Sequence, residues 1–146
     1  MNDEKETDLP YFELTGEILS CCFEVMKELG PGFQERIYKN ALLIVIKERG
    51  LQVETEQPFE VTFRGRIIGR YSADLVVEKT AIIELKCCES LIREHQAQLF
   101  NYLKVSNLPI GLLVNFKRRK LEYKRLHGAE ICDELKEAVI EEPILF

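Results

Sequence analysis

The 146-residue sequence has no apolar run close to the ~20 residues that a membrane-spanning helix needs, so it predicts no membrane association. Its five cysteines lack Cys-x-x-Cys spacing, which argues against a disulfide framework and against an iron–sulfur cluster held by spaced thiolates. The start of the chain, MNDEKETDLP, is acidic and polar and therefore does not resemble a signal peptide. We expect a cytoplasmic protein whose cysteines are free thiols.

The sequence also lacks internal repeats, linkers and low-complexity segments, and its length predicts one domain. The net charge of −5 is unevenly distributed, because residues 1–13 carry −4, residues 129–146 carry −5 and residues 14–128 carry +4. We predict an acidic disordered tail over 1–13 and the domain over 14–128. A C-terminal helix and acidic tail over 129–146 then pack on the same domain or trail from it. The mildly basic body is compatible with a partner that bears phosphates.

The hydrophobic periodicity changes along the chain from helical to strand-like and back. Helices are predicted at 14–29, from residue 34 or 35 to Gly50, at 91–105 and at 129–140. Strands are predicted at 53–57, 59–63, 67–77, 81–87, 110–116 and 121–126, with Pro58 marking a sheet edge or a bulge. This order predicts an α/β fold in which a mixed sheet is flanked by helices.

Three charged residues lie inside two adjacent apolar strands: Asp74 in the first, and Glu84 and Lys86 in the second. Side chains alternate along a strand, so Glu84 and Lys86 share one face. Burying such ions costs several kcal/mol each unless something compensates, and a metal ion is one such compensation. The alternative is that these charges are half-exposed at strand ends, with Asp74 and Lys86 forming an ordinary ion pair.

The chain resembles the PD-(D/E)XK nuclease superfamily in its element order, with an acid on the second core strand and Glu-x-Lys on the third. Residues 32–38, GFQERIY, further resemble the GxxExxY family within it, as do the neighbouring motifs YSADLVV, IIELK and AQLFNYLK. The resemblance implies a restriction-endonuclease-like fold with an αβββαβ core. It also implies that Asp74 and Glu84 are metal ligands, that Glu35 completes the metal shell, and that Lys86 is the active-site lysine.

The same resemblance assigns roles on the third helix, where Gln98 and Tyr102 match the Gln-x-x-x-Tyr motif of RecB-type nucleases and share one face. Tyr102 is equally compatible with a core position, and His95 with either nucleic-acid contact or a cap. The run Lys117, Arg118, Arg119 indicates phosphate contacts or a solvated turn; Arg64, Arg66 and Arg70 are further candidates for phosphate contact.

One position departs from the GxxExxY pattern, which often has a histidine where this chain has Met26. The histidine position is either a contact with substrate or metal, or a core contact that methionine fills well.

The activity that the resemblance implies is hydrolysis of phosphodiester bonds in DNA or RNA with Mg²⁺ or Mn²⁺, which prefer hard oxygen ligands. Because neighbouring acids favour the charged form of Lys86, we expect it to position water or phosphate rather than to act as a base. The alternative is a non-catalytic module that retains the fold and binds nucleic acid or protein. The small size favours a homodimer or a protein partner.

Overall fold

A computed structural model describes residues 11–128 of the chain. The predictions for residues 1–10 and 129–146, including the C-terminal helix, lie outside the described residues. The described elements, in chain order, are α1 (Phe12–Leu29), α2 (Glu35–Glu48), β1 (Val53–Phe63), β2 (Arg66–Val77), β3 (Ala81–Lys86), α3 (Arg93–Ser106), β4 (Ile110–Asn115) and β5 (Glu122–His127). None of the described helices is long and apolar enough to cross a bilayer.

The five described strands form one sheet in the order β1-β2-β3-β4-β5. Strands β3 and β4 are parallel and are joined through α3, whereas the other neighbouring pairs are antiparallel. A parallel pair needs such a crossover connection because a short turn cannot return the chain to the same end of the sheet. The prediction of a mixed sheet flanked by helices is confirmed.

Each face of the sheet has its own apolar core. Helices α1 and α2 cover one face, where Ile18, Tyr38 and Leu42 pack with Leu85. Helix α3 contributes Leu99 and Leu103 to the opposite face. The central strands β3 and β4 are buried on both faces, which explains their almost uninterrupted apolar sequence. Met26 is 2% exposed within the first core, so it fills a core position.

Strands β1 and β2 form a long hairpin in which β1 is the outermost described strand. Of the two positions predicted for Pro58, a sheet edge or a bulge, it occupies the edge. The two predicted strands 53–57 and 59–63 are one strand, and its left-handed residue is Glu56, with a φ of 52°, rather than a break at Pro58. Only the last three residues of β2, from Leu75 to Val77, pair with β3, so the distal part of the hairpin extends beyond the other strands. It exposes Phe63, Ile67 and Ile68.

Candidate active site

The candidate site lies where strands β2 and β3 stop pairing through their backbones. Their antiparallel ladder ends at the pair of Leu75 with Ile83, one residue before Asp74 would face Glu84. Beyond this point the carboxylate of Asp74 takes the place of a backbone partner, since its Oδ2 accepts a 2.9 Å hydrogen bond from the N–H of Leu85. The N–H of Asp74 is 3.4 Å from Oε1 of Glu84. The strand separation thus brings the two acids together.

Glu84 is an acid whose charge the protein does not fully compensate. It is only 9% exposed, and burial, reinforced by the charge of Asp74, raises the pKa of Glu84 to about 8. A hydrogen bond with the Asp74 side chain adds to this shift, whereas Lys86 opposes it. The pair therefore favours holding a proton, or another positive species, between its carboxylates.

Glu35 reaches the same neighbourhood from the first turn of α2. The chain before it is extended at Gln34, and the helix begins at Glu35, where an acid also interacts favourably with the helix dipole. Burial raises the pKa of Glu35, and Asp74 raises it further, while Lys86 and Lys39 lower it. The side chains of Glu35, Asp74 and Lys86 are therefore close enough to influence one another's charge. Their ligand and catalytic roles stay predictions.

Two further charged residues of this neighbourhood were missed in the sequence. Lys39 forms an ion pair with Glu56, and its Nζ lies 3.9 Å from Oδ1 of Asp74. The β1–β2 register places Glu56 level with Asp74, so Asp74 has an acid on each neighbouring strand. The bond to Glu56 is the main cause of a raised pKa of Lys39. Lys39 could have been found four residues after Glu35 on one helix face, whereas Glu56 requires the register.

A buried amide fixes the loop that follows Lys86. Asn115 of β4 stands beside Lys86 in the parallel ladder, and its side chain is 3% exposed. Its Oδ1 accepts hydrogen bonds from the N–H groups of Cys88 and Lys117, and its Nδ2 donates to the Cys88 carbonyl and to Glu122. Every polar atom of this amide is thus satisfied, which stiffens the chain on both sides of the candidate site. No motif in the sequence pointed to Asn115.

The residues predicted on α3 occupy different environments. Tyr102 stacks on Tyr71 with 3.7 Å between ring centroids, and its carbonyl accepts the Tyr71 hydroxyl at 2.8 Å. Burial and the charges of Glu84 and Asp74 raise the pKa of Tyr102, which places it beside the acidic pair. Gln98 is exposed one turn earlier on the same helix. Nδ1 of His95 accepts a hydrogen bond from the N–H of Ile92, at the start of α3.

The basic residues after β4 lie on an exposed turn beside the loop that follows β3. Arg118 donates to the carbonyl and the carboxylate of Glu89 at 2.6 and 2.7 Å, and Lys117 lies 4.0 Å from the same carboxylate. Arg119 lies next to Gly30, the residue that ends α1. These contacts hold the positive charges at the same end of the sheet as Lys86. Their contact with nucleic acid stays a prediction.

The donor set fits a hard divalent cation held by few protein ligands. Asp74 and Glu84 supply adjacent carboxylates, and Mg²⁺ typically uses one or two carboxylates and keeps several waters. Burial, reinforced by the charge of Asp74, raises the pKa of Glu84, so a bound cation would favour the charged form of this carboxylate. Across residues 11–128, however, no group of three or more His, Cys, Asp or Glu side chains is arranged to hold a metal ion. The fit therefore rests on the Asp74–Glu84 pair, and Glu35 is a neighbouring acid on α2.

The family of the chain follows from a comparison with protein-family models. A model of the PD-(D/E)XK nuclease superfamily matches residues 12–126, which include both helices of the first core, all five strands except the last residue of β5, and α3. The match covers well over half of the chain. The protein belongs to the PD-(D/E)XK nuclease superfamily.

Among solved structures, the protein is similar to one described as "Crystal structure of SSO0001", with a TM-score of 0.53 and 23% sequence identity. The similarity covers 70% of this chain and 55% of that chain, so the protein spans only about half of the solved relative. At this identity the likeness shows the shared fold alone. A search of curated protein sequences gave no match.

Proposed function

We propose that the protein is a metal-dependent nuclease that hydrolyses phosphodiester bonds of DNA or RNA, with DNA the preferred expectation. The observation that carries the proposal is the Asp74–Glu84 pair, which lies at a break in the sheet beside Lys86 and needs positive charge. A protein that used this fold only as a scaffold would gain stability by replacing Glu84 with an apolar residue, because an uncompensated buried acid is costly. Membership of the superfamily supports the same reading.

In this proposal Asp74 and Glu84, with Glu35, hold Mg²⁺ or Mn²⁺, which would supply an acidified water and neutralise charge on the phosphoryl oxygens. Lys86 shares a strand face with Glu84 and positions the attacked phosphate or the attacking water by its charge. Lys39 holds Asp74 and Glu56 in place from α2. Gln98, exposed on α3 one turn from Tyr102, hydrogen-bonds the attacking water, Lys86 or a phosphate of the substrate.

Three finer assignments belong to the same proposal. The first is membership of the GxxExxY family of the superfamily, which the resemblance of the GFQERIY segment to the family motif supports. His95, Tyr102 and the basic turn from Lys117 to Arg119 contact the nucleic acid. We further propose that the protein acts in the cytoplasm, as a homodimer or with a protein partner.

The non-catalytic binding module remains a second candidate because the described residues contain no preformed three-ligand metal cluster. Incubation with single- and double-stranded DNA and RNA separates the two candidates, with Mg²⁺, Mn²⁺ or EDTA present. If the protein is a nuclease, the wild type should cleave nucleic acid with a divalent ion present, whereas the wild type with EDTA and the Glu84→Ala variant should not. Binding of nucleic acid without cleavage under any metal would establish the module instead, and neither binding nor cleavage would refute both.

We expect the basic turn to set affinity rather than the rate of cleavage. Replacing Lys117, Arg118 and Arg119 by glutamine should weaken binding and flatten the dependence of log K on log salt by about 0.9 per lost phosphate contact on duplex DNA. Filter binding or fluorescence anisotropy across a salt series measures this slope. Single-turnover cleavage at saturating enzyme should change little, because these side chains lie on an exposed turn outside the acidic pair.

The matched control replaces Lys47, Arg49 and Lys79 by glutamine. These three cations are exposed at the opposite end of β3 from Lys86, and Arg49 pairs with Glu24 as Arg118 pairs with Glu89. An equal loss of affinity in both triple variants would mean that overall charge, and not this turn, attracts the nucleic acid.

A further inference from the structure

A cleft of about 290 Å³ opens beside the candidate active site and has no part in the proposed chemistry. It is lined by Pro31, Gly32, Phe33, Cys87, Phe116 and Lys117. Its walls are thus mainly apolar and aromatic, and the exposed Lys117 is the one cation among the lining residues. The Phe33 side chain is 47% exposed, whereas Phe116 is fully buried behind it. The accessible aromatic surface of the cleft is therefore that of Phe33.

The position of Phe33 is fixed by the α1–α2 connection. The Tyr38 hydroxyl accepts a hydrogen bond from the Phe33 N–H at 3.2 Å and donates to the Gly30 carbonyl at 2.7 Å. The Tyr38 ring stacks on Phe116 at 5.0 Å and meets Phe33 edge-to-face at 6.1 Å. Gly32 has a backbone φ of 108°, a conformation that residues other than glycine rarely adopt. The exposed ring is therefore held in place before any ligand arrives.

The cleft is continuous with the acidic site. Phe33 precedes Glu35 by two residues, and Cys87 directly follows Lys86. Burial raises the pKa of the Cys87 thiol, Glu35 raises it further and Lys117 lowers it, so the acid of the site and the cation of the cleft are both near this thiol. The Cys87 Sγ is 4.0 Å from the Phe33 carbonyl. Because Cys87 lines the cleft and directly follows Lys86, the cleft adjoins the end of β3 that carries Lys86.

We propose that the cleft binds one unpaired nucleobase, stacked on Phe33, from the nucleotide adjacent to the scissile phosphate, with a neighbouring phosphate at Lys117. The proposal rests on the proposed nuclease function and adds a substrate class, namely single-stranded or locally unpaired nucleic acid. A base inside a duplex has both faces covered by its neighbours, so it must leave the stack to present a face to Phe33. A cleft of about 290 Å³ has room for one base.

The chemistry of the walls favours a nucleotide over an apolar peptide or a lipid chain. Lys117 at the entrance, with Arg119 beside Gly30, complements a phosphate attached to the base. Stacking on an aromatic side chain suits every base, because each has a π-face, so this site favours unpaired strands without reading sequence. An apolar ligand would make no use of Lys117 and Arg119, which are exposed beside the cleft.

The test uses the full chain carrying Glu84→Gln to prevent cleavage, and single-stranded and duplex DNA oligonucleotides that contain 2-aminopurine. With Phe33 intact, we expect single strands to bind with quenched 2-aminopurine fluorescence, as stacking requires. Phe33→Ala should abolish the quenching and weaken single-strand binding roughly 10-fold or more. Phe33→Tyr, which keeps an aromatic face, should retain both the quenching and the single-strand affinity. Duplex binding should be changed much less by either substitution.

Phe23→Ala is the matched control, because Phe23 is 48% exposed on α1 and meets Tyr123 rather than the cleft. Phe33→Leu retains apolar bulk without a π-face, so it separates stacking from packing; thermal melts confirm that each variant is folded. Unquenched fluorescence in the protein with Phe33 intact, or equal single-strand affinity in folded Phe33→Leu and Phe33→Tyr, would overturn the proposal. If the wild type still cleaves nucleic acid with metal in those cases, only this inference fails and the nuclease function stands.

Discussion

Replacing Lys86 with alanine is expected to lower the rate of phosphodiester cleavage by roughly 10²–10³-fold, the loss typical of one preorganised electrostatic stabiliser. The reason is its position, since Lys86 is half-buried at the end of β3 and acts on the charges of both Glu35 and Glu84. Because its work is done on charge that develops during the reaction, affinity for the nucleic acid should remain nearly unchanged. Single-turnover cleavage with Mg²⁺, together with binding measured in EDTA, separates the two quantities.

Lys47→Ala is the control for this prediction, because Lys47 is an exposed lysine near the far end of α2 from Glu35. Its removal should affect neither rate nor affinity by more than a small factor. If Lys86→Ala lowers affinity and rate by the same factor, Lys86 binds the ground state of the substrate and does not act selectively in the transition state.

The second large effect concerns stability: Glu84→Gln should stabilise the metal-free protein above pH 8. The pKa of Glu84 is about 8 in the folded protein, against an ordinary value of 4.5. The folded state therefore binds the proton more tightly than the unfolded chain. This contribution is present in full below about pH 4.5 and is lost as the pH rises through 8. Over that interval the linkage amounts to on the order of 5 kcal/mol.

Glutamine removes the charge and keeps the oxygen that accepts from the Asp74 N–H. Urea unfolding in EDTA should therefore show a variant more stable than the wild type at pH 8, with a difference that shrinks towards pH 5. Millimolar Mg²⁺ or Mn²⁺ should raise the free energy of unfolding of the wild type, by about 2.7 kcal/mol at a hundredfold excess over Kd, and should leave that of Glu84→Gln unchanged. Glu48→Gln, at an exposed position on α2, is the control. A destabilised Glu84→Gln at pH 8 would mean that Lys86 already compensates the charge.

The sequence was most informative where a residue type contradicts its surroundings. Asp74 and Glu84 were identifiable because carboxylates are unexpected in strands that are otherwise apolar, and alternation placed Lys86 on the face of Glu84. Glu35 came only from the resemblance of GFQERIY to a known motif. The mixed sheet followed from the change of hydrophobic period and is confirmed.

What could not be predicted depends on how strands align. Glu56 belongs to the site because the register sets it level with Asp74, and a one-residue shift would send its side chain to the other face. Its left-handed backbone has no signal in the sequence, since glutamate is not a residue favoured there. Asn115 likewise gains its importance from a parallel neighbour 29 positions earlier, Lys86, and from loops brought together only by folding. The local sequence pattern does not show which residues of distant segments become neighbours.

The hydrogen bond from Leu85 to the Asp74 carboxylate makes one backbone amide of a central strand depend on an ionisable side chain. In the rest of β3 the amides are held by neighbouring strands and exchange with solvent only when the sheet opens. The Leu85 amide can instead be released by any event that draws Asp74 away, with no change elsewhere in the core. Occupancy of the acidic pair is thereby converted into the hydrogen-exchange rate of a single residue, the Leu85 amide, on a strand that is otherwise held by its neighbours.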